Sequence, residues 1–156
     1  MMKHTFFILT AMLCLFSCQE SVDGKQGDTI KLSTNKLFSS AEGGEFEVTT
    51  QGKYWQIERT VSIDSKSYWM EFDSIGNNCH WLYNEIEFSI ETKGDRDYCH
   101  HILKIEGPWF TVYKVTEQKI IFSIQPNDTG KVRTLRLDLW DGNFYGAYII
   151  LTQSAN

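Results

Sequence analysis

The sequence predicts an all-β protein, an antiparallel sandwich of about nine or ten short strands, and three observations carry that expectation. Apolar residues recur at every second position in one run after another. Gly, Asn and Asp clusters separate the runs. No segment carries the apolar stripe of a helix, and only two prolines interrupt the chain.

The runs follow in order. Ile30 and Leu32 alternate in TIKLS, and Phe46 and Val48 alternate in EFEVTT behind the turn residues Gly43 and Gly44. Trp55, Ile57, Val61 and Ile63 share one parity. Ile86, Phe88 and Ile90 alternate with Glu85, Glu87, Ser89 and Glu91, the pattern of a strand with one wet face. Further runs occupy 99–105, 109–115, 119–125, 132–140 and 145–152. Asn127-Asp128-Thr129-Gly130 and Asp141-Gly142-Asn143 are turn chemistry, so the last three runs read as two consecutive hairpins. In the middle strand Leu135, Leu137 and Leu139 point to the core, while Arg136, Asp138 and Trp140 point to solvent.

Residues 1–17 form a signal peptide: Lys3 precedes the apolar run FFILTAMLCLF, too short to span a bilayer as a helix of ~20 residues. Leu15-Phe16-Ser17-Cys18 resembles a bacterial lipobox, which implies that Cys18 becomes the lipidated first residue of the mature chain. Its acyl chains give a stable membrane anchor, so the expectation is an outer-membrane lipoprotein, on the cell surface or the periplasmic face. The alternative is an ordinary secretory signal. Residues 18–28, polar and Gly-containing, read as a flexible tether, and residues 29–156 as one domain.

Removing residues 1–17 from the 156 leaves 139 and takes out one lysine and no acid, so 14 basic face 20 acidic side chains, a net charge of about −6. No Lys/Arg cluster remains, which argues against a nucleic-acid partner.

Trp109-Phe110-Thr111-Val112, then a β-run, then Asn127 and Arg133, then Gly142, then a last strand ending Ile150-Leu151-Thr152-Gln153 resemble the C-terminal half of the BACON domain. That domain occurs in Bacteroidetes proteins and is often N-terminal in carbohydrate-degrading enzymes. FSSAEGGEFEVTT followed by Tyr54-Trp55-Gln56-Ile57 is similar to the family's opening strands. The resemblance covers both ends of residues 30–153 and departs in the middle, where about 66–105 is longer than the family needs and implies an inserted hairpin or long loop. It implies an immunoglobulin-like sandwich with a glycan-binding or spacer role. No binding residues are carried over from it.

Sugar sites stack flat aromatic rings on the C–H face of a pyranose and set amides and carboxylates beside them. Five tryptophans are available. Trp55 and Trp109 begin runs with aliphatic partners and are expected in the core. Trp140, Asn143 and Tyr145 form one candidate ligand-binding cluster. A second lies in the insertion, where Tyr68, Trp69, His80, Trp81 and Tyr83 surround Asn77 and Asn78, with Trp81 and Tyr83 the residues singled out. For either cluster the alternative is a set of partly buried rings that guard strand ends.

Beyond Cys14 and Cys18 only Cys79 and Cys99 remain. In an oxidising compartment a disulfide between them would stabilise the fold by ~3 kcal/mol and pin the insertion. Cys79-His80 and Cys99-His100-His101 also offer zinc ligands, but strand neighbours point to opposite faces and there is no C-x-x-C pair, so no metal is expected.

Nothing points to catalysis or to a cofactor. No G-x-S-x-G, H-E-x-x-H or Gly-rich phosphate loop occurs. The expectation is a membrane-anchored glycan- or polysaccharide-binding module. The competing expectation is a non-catalytic spacer or protein-interaction lipoprotein with no sugar affinity.

Overall fold

The computed structural model describes residues 30–52, 55–72, 79–81, 88–92, 102–141 and 146–156, with the backbone alone at 70–72, 79–81, 89 and 92. The signal peptide, Cys18 and the tether lie outside the described residues. Among the described residues twelve strands form: β1 (Lys31–Leu32), β2 (Lys36–Ser39), β3 (Gly44–Gln51), β4 (Gln56–Ile63), β5 (Lys66–Phe72), β6 (Cys79–Trp81), β7 (Ser89–Thr92), β8 (Ile102–Glu106), β9 (Phe110–Thr116), β10 (Lys119–Ile124), β11 (Arg133–Trp140) and β12 (Gly146–Gln153). The periodicity expectation of nine or ten is exceeded by strands that no alternating run marked: β2 and β6, only four and three residues long, and β5 within the 66–105 stretch.

The strands make an immunoglobulin-like sandwich of two six-stranded sheets, the first in the order β1-β3-β10-β9-β8-β7 and the second β2-β12-β11-β4-β5-β6. One pairing departs from the antiparallel expectation, since β2 runs parallel to β12. The 66–105 stretch lengthens both sheets: β5 and β6 form a hairpin at one edge of the second, and β7 and β8 lie at one edge of the first.

Alternation fills the space between the sheets as the sequence expects. Val48, Val112, Ile120 and Phe122 from the first sheet meet Ile57, Val61, Leu135, Leu137, Ile149 and Leu151 from the second, all buried. Each such side chain contributes about 1.5–3 kcal/mol when removed from water. Tyr68, read above as part of an aromatic surface cluster, is also buried. Its ring lies 5.5 Å from Phe88, Phe88 lies 6.4 Å from Phe110, and Phe110 meets Trp109 edge-on at 5.2 Å. The parity of β5 explains this, since Tyr68 turns inward and Ser67 and Trp69 turn out.

Two turns show how residue type sets local geometry. Asp64 and Ser65, at φ 48° and 69°, form the two-residue loop between β4 and β5, and two successive positive φ values match the twist of a hairpin. The Asp64 carboxylate is fixed in turn by the Thr134 N–H, which donates to Oδ1 at 2.7 Å. Gly43 sits at φ 77°, and a Cβ there would overlap the Ile124 carbonyl oxygen, so only glycine fits.

The interior is closed at both ends by a tryptophan under a cation. At one end Trp109 lies beneath Arg133, 4.6 Å from guanidinium to ring centre. Arg133 donates to the Gln125 and Pro126 carbonyls and to Gln153 Oε1, and burial lowers its pKa. Beside it Asn127 is fully buried: Nδ2 donates to Lys131 O and Ser154 O, and Oδ1 accepts from the Thr129 N–H and hydroxyl. The sequence reads Asn127 as a turn residue; the structure gives it a second task, tying the β10–β11 connection to the chain that follows β12. At the other end Lys114 Nζ lies 4.2 Å over Trp55 and donates to Trp55 O at 2.7 Å, while Trp55 Nε1 donates to Glu117 O.

Candidate functional site

The outward residues of the second sheet form an aromatic face. Alternation from the buried Leu137 and Leu139 leaves Arg136, Asp138 and half-buried Trp140 outside on β11. By the same rule Tyr148 and Ile150 stand outside on β12, Phe38 on β2, Trp69 on β5, and Gln56, Thr60 and Ser62 on β4. Pairing sets these side by side: Trp140 opposite Gln56, Asp138 opposite Tyr148, and Trp69 opposite Thr60. Trp69 and Tyr148 are three strands apart, about 14 Å at ~4.8 Å per strand. A bulge in β4 at residues 58–60 lies opposite Asp138, between them.

Hydrogen-bonding groups fill the spaces between the rings. The hydroxyls of Ser62 and Ser67 share a bond of 2.9 Å. Gln56 Oε1, on the same row as Trp140, is buried and accepts no hydrogen bond among the described residues. Arg136 grips Asp138 through Nε and Nη2, the shortest contact being 2.7 Å, and this bond raises its pKa. The same guanidinium lies 4.6 Å over the Tyr148 ring. Asp138 thus holds Arg136, and Arg136 holds Tyr148, in one orientation.

The outer face of the first sheet is different in kind. Lys119 pairs with Glu47 at 2.8 Å and Lys104 with Glu106 at 2.7 Å, and the bond to Glu106 raises the Lys104 pKa above its ordinary 10.5. Its exposed ring, Tyr113, carries Lys104 over it. This is an ion-paired, solvated sheet surface.

Of the residues named from sequence, Trp140 and Trp69 lie on the aromatic face. Trp81 and Cys79 lie on β6, whose backbone pairs with Met70 and Phe72 of β5, and their side chains are outside the described residues. Asn143, Tyr145, Tyr83 and Cys99 also lie outside them, so the Cys79–Cys99 pairing and the Trp81–Tyr83 cluster fall there too. Sequence reasoning set Arg136 and Asp138 on the same outward side as Trp140 but missed Tyr148 and Phe38 as members of the face. In GAYIILTQ both parities are apolar, so alternation alone gives no sign that Tyr148 and Ile150 turn outward.

No protein-family model matches the chain, and no curated protein matches it. Solved structures do. An NMR structure of a protein from Bacteroides thetaiotaomicron is 17% identical, covers 83% of this chain and 89% of its own, and superposes with a TM-score of 0.52. The Bacteroides ovatus GH5 xyloglucanase in complex with a XXXG heptasaccharide is 15% identical over 82% of this chain, which spans 19% of the enzyme, with a TM-score of 0.41. The first of these likenesses shows the shared all-β sandwich fold.

Proposed function

We propose that the chain is a membrane-tethered, non-catalytic lipoprotein whose domain binds glycans on the outer face of the second sheet. The observation that carries this reading is the placement of Trp69, 57% exposed, and Tyr148, 41% exposed, with Trp140 on one face interleaved with hydrogen-bonding groups. Flat rings spread over about 14 Å of a sheet, at ~4.8 Å per strand, suit an extended chain of pyranoses. The lipobox at Cys18 supports the tether and an outer-membrane, surface or periplasmic setting, and the order of short motifs that resembles the BACON domain agrees with a glycan-directed module.

The test is a glycan array followed by calorimetry on the full chain held in detergent micelles. Binding is expected to weaken about tenfold in Trp140→Ala and in Trp69→Ala, as loss of one stacked ring implies. Trp81→Ala asks the same of the second cluster. Absence of binding to any glycan would overturn the reading in favour of a spacer or a protein-interaction lipoprotein.

A further inference from the structure

Beside the aromatic face, a cleft of about 550 Å3 opens between the start of β12 and the connection from β1 to β2. It lies within the ~300–1,000 Å3 of small-molecule sites. Tyr148 and Gly146 form one wall, Ser33, Thr34 and Asn35 the other, and Ile30 and Leu32 contribute its apolar part.

Three features make this a built site. The first is the ring. Arg136, on β11, lies 4.6 Å over the Tyr148 ring and fixes it, and Tyr148 also lines the cleft, which opens toward the β1–β2 connection on the other side of β12. The second is backbone. β2 pairs with β12 only from Ile150 onward, where the Ile150 N–H donates to Asn35 O at 2.9 Å. The two-residue repeat of a strand turns the N–H and C=O of Tyr148 and Gly146 to that same side, where no strand among the described residues pairs them. Exposed backbone donors and acceptors beside a ring are what sugar hydroxyls require.

The third feature is charge. No residue lining the cleft carries one, and the nearby Arg136 is committed to Asp138. The protein as a whole is acidic, at −5. A carboxylated or sulfated sugar would find no cation among the residues that line the cleft, the adjoining Lys31 and Lys36 lying outside its lining. Asn35, by contrast, is exposed and its side-chain amide has no partner among the described residues, so it can meet a hydroxyl as donor or acceptor.

We infer that this cleft is a subsite for one uncharged sugar ring, stacked on Tyr148 and hydrogen-bonded by Asn35 and by the backbone of Gly146 and Tyr148. The inference rests on the glycan-binding reading and adds to it the place and the chemical class of one bound residue. Neutral hexose and pentose oligosaccharides and their uronic-acid counterparts are titrated calorimetrically into the full chain and into Tyr148→Ala, Tyr148→Phe, Asn35→Ala and Trp69→Ala, with thermal melts to verify folding. Neutral sugars are expected to bind, about tenfold more weakly to Tyr148→Ala and Asn35→Ala, with Tyr148→Phe close to the parent because the ring remains. Binding that Trp69→Ala weakens while Tyr148→Ala and Asn35→Ala leave it unchanged would overturn the cleft and keep the aromatic face. Preference for the uronic acids would likewise overturn the uncharged subsite. Failure of every sugar to bind would overturn the glycan reading itself.

Discussion

Trp55 and Trp109, at the two ends of the interior, and Trp69, on the outer face of the second sheet, are one side chain in opposite settings. The first two are 3% and 7% exposed, and each has a cation laid over its ring that is itself tied to backbone carbonyls. Trp69 is 57% exposed. The lesson is that a tryptophan's role is set by what covers its faces. A ring with both faces occupied closes a core; a ring with one face open can receive a ligand. Tyr148 is intermediate: Arg136 lies over its ring, and the residue also lines the cleft.

The strongest way to break this contrast is Trp109→Ala. It removes a ring that packs on Phe110 and underlies Arg133, and about 3–5 kcal/mol of stability is expected to go, read by denaturant unfolding. A loss below about 1 kcal/mol would mean that the cation lid holds this end without the ring. Next in size is Asn127→Ala, expected to cost about 2–3 kcal/mol because two backbone carbonyls lose their buried donor. Asn127→Asp should cost at least as much, since it turns an acceptor toward those same carbonyls; near-neutral behaviour would show that the turn survives without this tie. The smallest effect is expected from Trp69→Ala, within about 0.5 kcal/mol as for an exposed surface position. A loss of several kcal/mol there would place Trp69 with the closing tryptophans and dissolve the comparison.

What could be read without coordinates followed the range of the forces involved. Alternation is local, so Leu135, Leu137 and Leu139 were legible as core, and Trp55 and Trp109 as interior. The parallel contact of β2 with β12 joins residues more than a hundred positions apart and leaves no local mark. Asn127 was legible as a turn former, but the carbonyls of Lys131 and Ser154 that it binds are fixed only when the ends of β11 and β12 meet. Tyr68 could have been set inside by counting from the Asp64-Ser65 turn, whose two-residue loop fixes the parity of β5. The candidate face was legible at Trp140 and its outward neighbours Arg136 and Asp138, and at Trp69, which the sequence assigned to a separate cluster. Tyr148 needed the structure, because the apolar residues on both sides of it hide which way the strand turns.

The parallel strand β2 also decides how the domain bears load. The chain enters β2 at Lys36, beside Ile150, and leaves β12 beyond Gln153, beside Ser39. Tension between those two points pulls the strands past one another lengthwise. The hydrogen bonds run across the strands, so they are sheared together and not unzipped one at a time. A domain pulled between the start of β2 and the end of β12 therefore resists along its stiffest direction.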